Sequence, residues 1–128
     1  MPHVLLMGGG HCGQAIANTL EALGWHHSVH DTRPDFSAVK MYPNAEQLSS
    51  VSVSEFLQTE SLETLRRFSD VLLLGHDWAE DQERLLGLLH FYREGKAIPD
   101  GHQGPRIGVI GSRSKWHSFE KTYLEQGI

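Results

Sequence analysis

Apolar residues along this chain come in short unbroken runs and in helically spaced stripes, and the two alternate. Val4-Leu5-Leu6-Met7 is the first run and predicts strand one over His3–Met7. Cys12–Leu23 follows with Ile16, Leu20 and Leu23 on one face, a helix stopped by Gly24. Trp25–Asp31 predicts strand two, and Thr32–Gln47, with Pro34 and Pro43, predicts a loop. Ser50–Val53 predicts a short third strand. Ser54–Phe68 reads as one helix, with Leu57, Leu65 and Phe68 inward and Phe56 and Leu62 beside them. Asp70–Leu74 is so apolar that it predicts a central strand buried on both faces. Asp77 is placed to cap the next helix, with Glu80 as its capping-box partner. That helix runs to about Glu94 and stops at Gly95, with acids early and bases late as the helix dipole favours. Lys96–Pro105 predicts a loop and Arg106–Ile110 the last strand. Ser114–Gln126 predicts the last helix, with Trp116, Phe119 and Tyr123 on one side and Gly127 as its stop.

Strands alternating with helices imply an α/β fold, a Rossmann-like doubly wound parallel sheet of about five strands. Right-handed crossovers favour the order 3-2-1-4-5. A length of 128 residues predicts a single Rossmann-like nucleotide-binding domain over residues 1–128. The chain is 39% hydrophobic, yet no apolar run approaches the roughly 20 residues of a membrane span, so no membrane partner is expected. One cysteine excludes an internal disulfide framework, and no leader pattern opens the chain; both predict a cytoplasmic protein. A net charge of −5 without a Lys/Arg stripe argues against nucleic acid as a partner. The nine histidines show no metal-ligand spacing, so no metal is expected.

The chemistry gathers at three segments. Gly8, Gly10 and Gly13 form G-x-G-x-x-G between strand one and helix one, and Asp31 follows 18 residues after Gly13. Together these describe a dinucleotide-binding βαβ unit. The helix start, with His11 and Cys12, would offer main-chain N–H groups to an anion. Cys12 reads either as a small residue packed on the turn or as a reactive thiolate. Asp31 is placed to accept a ribose 2′-hydroxyl, whereas Arg33 nearby would favour a phosphate. After strand four, His76 and Asp77 read as pocket-rim contacts or as a loop residue and a cap, with Asp81 one turn further. After strand five, Gly111, Ser112, Arg113 and Lys115 suit an anionic group such as phosphate. All three segments fall at carboxyl ends of strands, where such sheets bind ligands, so the expectation is one shared pocket for a nucleotide-like small molecule. No catalytic pair is evident.

These segments resemble those of the XdhC/CoxI family, the accessory proteins of molybdenum hydroxylases such as xanthine dehydrogenase, in their C-terminal Rossmann domain. Gly8-Gly9-Gly10-His11-Cys12-Gly13 is similar to that family's G-A-G-H-V-G, and Asp31-Thr32-Arg33-Pro34 to its D-D-R-P. His76 and Asp81 match a T-H-x-x-x-x-D segment, and Ile110-Gly111-Ser112-Arg113-Ser114-Lys115 is similar to I-G-S-R-R-K. Leu124–Ile128 resembles the family's L-x-x-G-I. Gly75 stands where the family has threonine, and Trp78 where it has a second histidine. The resemblance implies a cofactor-binding accessory protein for molybdenum hydroxylase maturation rather than a catalyst. It implies either the molybdenum cofactor (molybdopterin) or NAD(P) as ligand, and a molybdenum hydroxylase as partner. An exposed strand-five side favours a homodimer. The alternative is an NAD(P)-binding regulatory or oxidoreductase module.

Overall fold

The computed structural model describes residues 1–94, 104–111 and 113–127. Its elements are β1 (His3–Met7), α1 (His11–Ala22), β2 (His26–His30), a 3₁₀ turn (Pro34–Ser37), β3 (Leu48–Ser49), α2 (Val53–Thr59), α3 (Leu62–Leu65), β4 (Asp70–Leu73), α4 (Trp78–Glu94), β5 (Arg106–Val109) and α5 (Arg113–Glu125). The strands form one parallel sheet in the order β3-β2-β1-β4-β5, as the alternation of elements predicts. Register decides where the loops emerge. Met7 lies opposite both His30 and Leu73, and Leu73 lies opposite Val109. Four strands therefore end level, and the loops after β1, β2, β4 and β5 start side by side.

Alternation along β1 sends its side chains into two cores. Leu5 and Met7 pack with Phe56, Leu65, Phe68, Val71, Leu73, Leu85, Leu88 and Phe119 under α2–α5. Val4 and Leu6 pack on the other face with Ala17, Leu20, Val29 and Tyr42, under α1 and the loop after β2. Gly8 turns the chain off β1 with φ +133°, and a Cβ there would lie 2.5 Å from the Leu74 carbonyl carbon. Only glycine meets both demands.

Three local expectations need correction. The third strand is Leu48–Ser49, earlier and shorter than Ser50–Val53. Ser54–Phe68 is two helices. Ser61 interrupts them by capping α3, its hydroxyl accepting from Thr64 N–H while the Thr64 hydroxyl accepts from Ser61 N–H. The imperfect period of this stretch reflects that break. Glu80 does not close a capping box; its carboxylate accepts the Thr32 hydroxyl at 2.9–3.0 Å, and Asp77 caps α4 alone through Ala79 N–H at 2.7 Å. The loop after β2 is more ordered than its prolines suggest, because Tyr42 is buried within it. Gly95, residues 96–103 and Ser112, which carry parts of the predicted loop and anion cluster, lie outside the described residues.

No described helix is long and apolar enough to cross a membrane. Between α4, β5 and α5, Leu85, Leu89, Ile107, Val109, Trp116 and Tyr123 line an apolar groove of about 180 Å³.

Candidate functional site at the carboxyl ends of the strands

The level strand ends bring the glycine turn, the β2 end and the β4 and β5 ends to one edge of the sheet. Gly10 is the N-cap of α1, and neither it nor any neighbour supplies a side-chain cap. The first turn also lacks an acid. By contrast, α2, α3 and α4 are capped by Ser52, Ser61 and Asp77. An uncapped helix start has main-chain donors and dipole charge available to an anion. His11 and Cys12 are exposed there.

The turn itself is held tightly. Tyr42 donates its hydroxyl to the Gly9 carbonyl at 2.6 Å. A Cβ on Gly9 would collide with the Phe36 carbonyl, and one on Gly13 would lie 2.5 Å from the Gly8 carbonyl oxygen. A Cβ on Gly10 would meet only the Arg33 guanidinium, at 3.9 Å. Gly9 and Gly13 thus serve packing, and Gly10 marks the open side. Burial pushes the Tyr42 hydroxyl up to about 12, with the Asp31 charge adding to the effect, so it stays a donor at neutral pH.

Asp31 does not offer a free carboxylate. It is 1% exposed, and both oxygens are engaged. Oδ1 accepts Arg33 N–H at 2.8 Å and Arg33 Nε at 3.0 Å; Oδ2 accepts Gly9 N–H at 2.8 Å and Arg33 Nη2 at 2.9 Å. Burial alone would raise its pKa, but these hydrogen bonds prevail and hold the carboxyl below its ordinary value. The same bond to Asp31 raises Arg33.

Asp81 and Lys115 come together, but inside the protein. Asp81 is 0% and Lys115 3% exposed. Lys115 Nζ donates to Asp81 Oδ2 at 2.7 Å and to the Ile110 carbonyl at 3.2 Å. Gly75 N–H donates to the same carboxylate at 3.0 and 3.2 Å. These contacts tie the ends of β4 and β5 to α4 and α5. Asp81 and Lys115, expected among the ligand contacts, are thus placed beneath the loops, paired with each other. A Cβ on Gly75 would lie 2.4 Å from Asp81 Oδ1 and 2.7 Å from Arg84 Nη1, so a threonine, the family's residue at this place, would require the Asp81–Arg84 pair to shift.

Sequence reasoning missed two members of this network. Arg84, 1% exposed, donates Nη1 to Asp81 Oδ1 at 2.9 Å, and its Nη2 lies 3.3 Å from His30 Nδ1. His30 Nε2 lies 2.9 Å from the Val51 carbonyl. Accepting from arginine at Nδ1 and donating at Nε2 requires a neutral ring, and burial lowers the His30 pKa accordingly. The Nε of Arg84 is buried without a partner. The available signal was positional. Asp81, Arg84, Leu85 and Leu88 fall at i, i+3, i+4 and i+7, on the inward stripe of α4.

His76, Asp77, Gly111 and Arg113 are exposed at the same edge. Among the described residues, no cluster of three or more His, Cys, Asp or Glu could hold a metal.

Comparison with known proteins adds to this geometry. A crystal structure described as a xanthine dehydrogenase from Bacillus halodurans superposes with a TM-score of 0.74 at 21% identity, covering 94% of this chain and 32% of that one. N5-carboxyaminoimidazole ribonucleotide synthetase from Thermotoga maritima superposes with a TM-score of 0.54 at 16% identity, covering 98% and 31%. The chain thus spans about a third of the length of either, and at these identities the likeness is one of fold. No curated protein matches the sequence. The XdhC Rossmann domain matches residues 4–128, and with nearly its whole length matched, the chain belongs to that family.

Proposed function

We propose that this protein is a cofactor-binding accessory domain in molybdenum hydroxylase maturation. It takes a phosphate-bearing ligand at the loops after β1, β2 and β4. The family membership and the solved relative described as a xanthine dehydrogenase support the setting. The observation that carries the ligand reading is the uncapped start of α1 at an open Gly10, with the Arg33 guanidinium beside it. The molybdenum cofactor fits these groups through its phosphate. Main-chain N–H groups at Gly10–Gly13 and the Arg33 side chain would hold it, and His11, Cys12 and His76 are exposed at the rim. When bound, the cofactor supplies the redox-active molybdenum, and this chain's residues bind, orient and shield it.

Anaerobic titration of the purified protein with molybdopterin, followed by thermal shift, tests the proposal. At 100 times the dissociation constant, saturable binding stabilises the fold by about 2.7 kcal/mol. Unchanged melting at that ligand excess, with no saturable heat in calorimetry, would refute it. A stabilisation by NADPH or NADH but not by the pterin transfers the site to the second reading, a nicotinamide-binding module. The same glycine turn supports that alternative.

A further inference from the structure

In dinucleotide sites of this architecture, the acid at the end of the second strand accepts the ribose hydroxyls of the ligand. Asp31 has the right position and the wrong surroundings for that task. A carboxylate offers about four lone-pair sites. Here four donors already occupy it, three from Arg33 and one from Gly9 N–H. Its near-complete burial leaves no face for a diol.

Arg33 is the reverse. Its guanidinium carbon lies over the Phe36 ring, 3.8 Å from the centroid, and its side chain is 33% exposed. Nε and Nη2 each give one bond to Asp31, which fixes the plane of the fork. A guanidinium carries five N–H donors, so the Nη1 pair and the second Nη2 hydrogen are left over for another acceptor. Nη2 stands 3.9 Å from where a Cβ of Gly10 would be. The fixed cation therefore flanks the open part of the glycine turn.

We propose that the Asp31–Arg33 pair makes this site selective for a phosphomonoester over a free ribose diol, with Arg33 as the contacting residue and Asp31 as its positioning residue. The inference rests on the ligand reading above. Two sources carry the same chemistry: the terminal phosphate of a pterin and the 2′-phosphate of an adenine dinucleotide. A dianion held by a prepositioned guanidinium beside a helix start gains charge-assisted, two-point hydrogen bonding that a diol cannot give.

The test is calorimetric titration of the full chain with four probes in matched pairs. One pair is NADP⁺ and NAD⁺. The other is molybdopterin, handled anaerobically, and the same pterin after phosphatase treatment. The expected result is that at least one phosphorylated probe binds about 10- to 100-fold more tightly than its dephosphorylated partner. The pair that shows it identifies the source. Arg33→Gln should bring that ratio close to one, and Arg33→Lys, which keeps charge without the fork, should fall between. Both variants change a partly exposed side chain, and circular dichroism melting checks that they fold. Ratios near one in both pairs, with Arg33→Gln leaving the affinity of every probe that binds unchanged, would overturn the selectivity while keeping the site. Binding of none of the four would overturn the underlying ligand reading, and the selectivity with it.

Discussion

Two neighbouring regions of this sheet edge, after β1 and after β4, repeat one arrangement and use it differently. After β1, Gly9 N–H donates to Asp31, which pairs with Arg33; after β4, Gly75 N–H donates to Asp81, which pairs with Arg84. Each is a glycine amide, an aspartate and an arginine. The Asp31 set keeps a third of its arginine side chain in solvent and, among the described residues, shows no second cation on its aspartate. The Asp81 set is sealed, with Arg84 at 1% exposure, and takes in Lys115 as well. The open copy keeps donors available to a ligand. The sealed copy spends its donors on joining β4, β5, α4 and α5. The same three residue types thus do opposite work, and exposure of the arginine decides which.

The sharpest way to break the comparison is to remove each aspartate. Asp81→Ala strands two buried cations, and breaking a buried ion pair from one side costs about 3–5 kcal/mol. Against the roughly 5–15 kcal/mol that holds a typical domain together, this variant is expected to be largely unfolded or close to it. Urea denaturation followed by circular dichroism measures the loss. A cost under about 1 kcal/mol would mean that water reaches Arg84 and Lys115 freely, and the distinction between sealed and open would fail. Asp31→Ala should cost less, because Arg33 can turn to solvent, although Gly9 N–H loses its partner.

The open copy was largely legible in the sequence, and the sealed copy was only half so. Gly8, Gly13, Asp31 and Arg33 have local causes, since turn geometry and a strand end bring them together within 26 residues. The convergence of the loops at the carboxyl ends was readable from the element order, whereas the register that levels the strand ends was not. Arg84 meets His30 across 54 residues, and Tyr42 meets Gly9 across 33. No short spacing announces such pairs. Lys115 was readable as chemistry but not as burial. Its place is set by its i, i+4 relation to buried Phe119 on the inward side of α5, which a scan for charged motifs passes over. The missed helix break at Ser61 has the same origin, because two short helices with different inward faces mimic one helix of poor period.

Acid offers a finer separation of the two regions. His30 belongs to the sealed set: it faces Arg84 from α4, the Val51 carbonyl and the Phe56 ring, with Asp31 and Glu80 as the nearest acids acting on it. Its folded pKa lies below the ordinary 6.5, mainly through burial. His3 and His27 are lowered for the same first reason. Below 6.5 the unfolded chain binds more protons than the folded one, so their contribution is complete above that pH and drains away as the pH falls. Asp31, whose folded pKa is also lowered, loses its contribution only below its ordinary 3.8. Unfolding free energy should therefore fall in two stages, the first setting in below pH 6.5 and the second below pH 3.8. The first stage has a limit of about 1.4 kcal/mol per pH unit per histidine. His30→Gln should make it shallower, leaving the share of His3 and His27, with the second stage in place. A profile flat from pH 7 to 5 in the parent chain would mean that these rings are protonated at no cost and the sealed region is wet.

The smallest expected effect concerns a side-chain bridge that spans the two regions. The Thr32 hydroxyl, from the loop beside Arg33, donates to both oxygens of Glu80 on α4, next to Asp81. If the two regions are independent, this bridge is a half-exposed hydrogen bond and little more. Thr32→Val keeps the shape and removes the hydroxyl, and Glu80 is accessible enough to turn to water. The cost should then be about 0.5–1.5 kcal/mol in urea denaturation, the ordinary value for one such bond. The pH stages and the Arg33-dependent phosphate preference should both survive. A cost above about 3 kcal/mol, or a loss of phosphate preference with Arg33 still present, would show that Glu80 transmits the state of the sealed network to the open one. The two aspartate sets would then be one cooperative unit, with the bridge between them as its hinge.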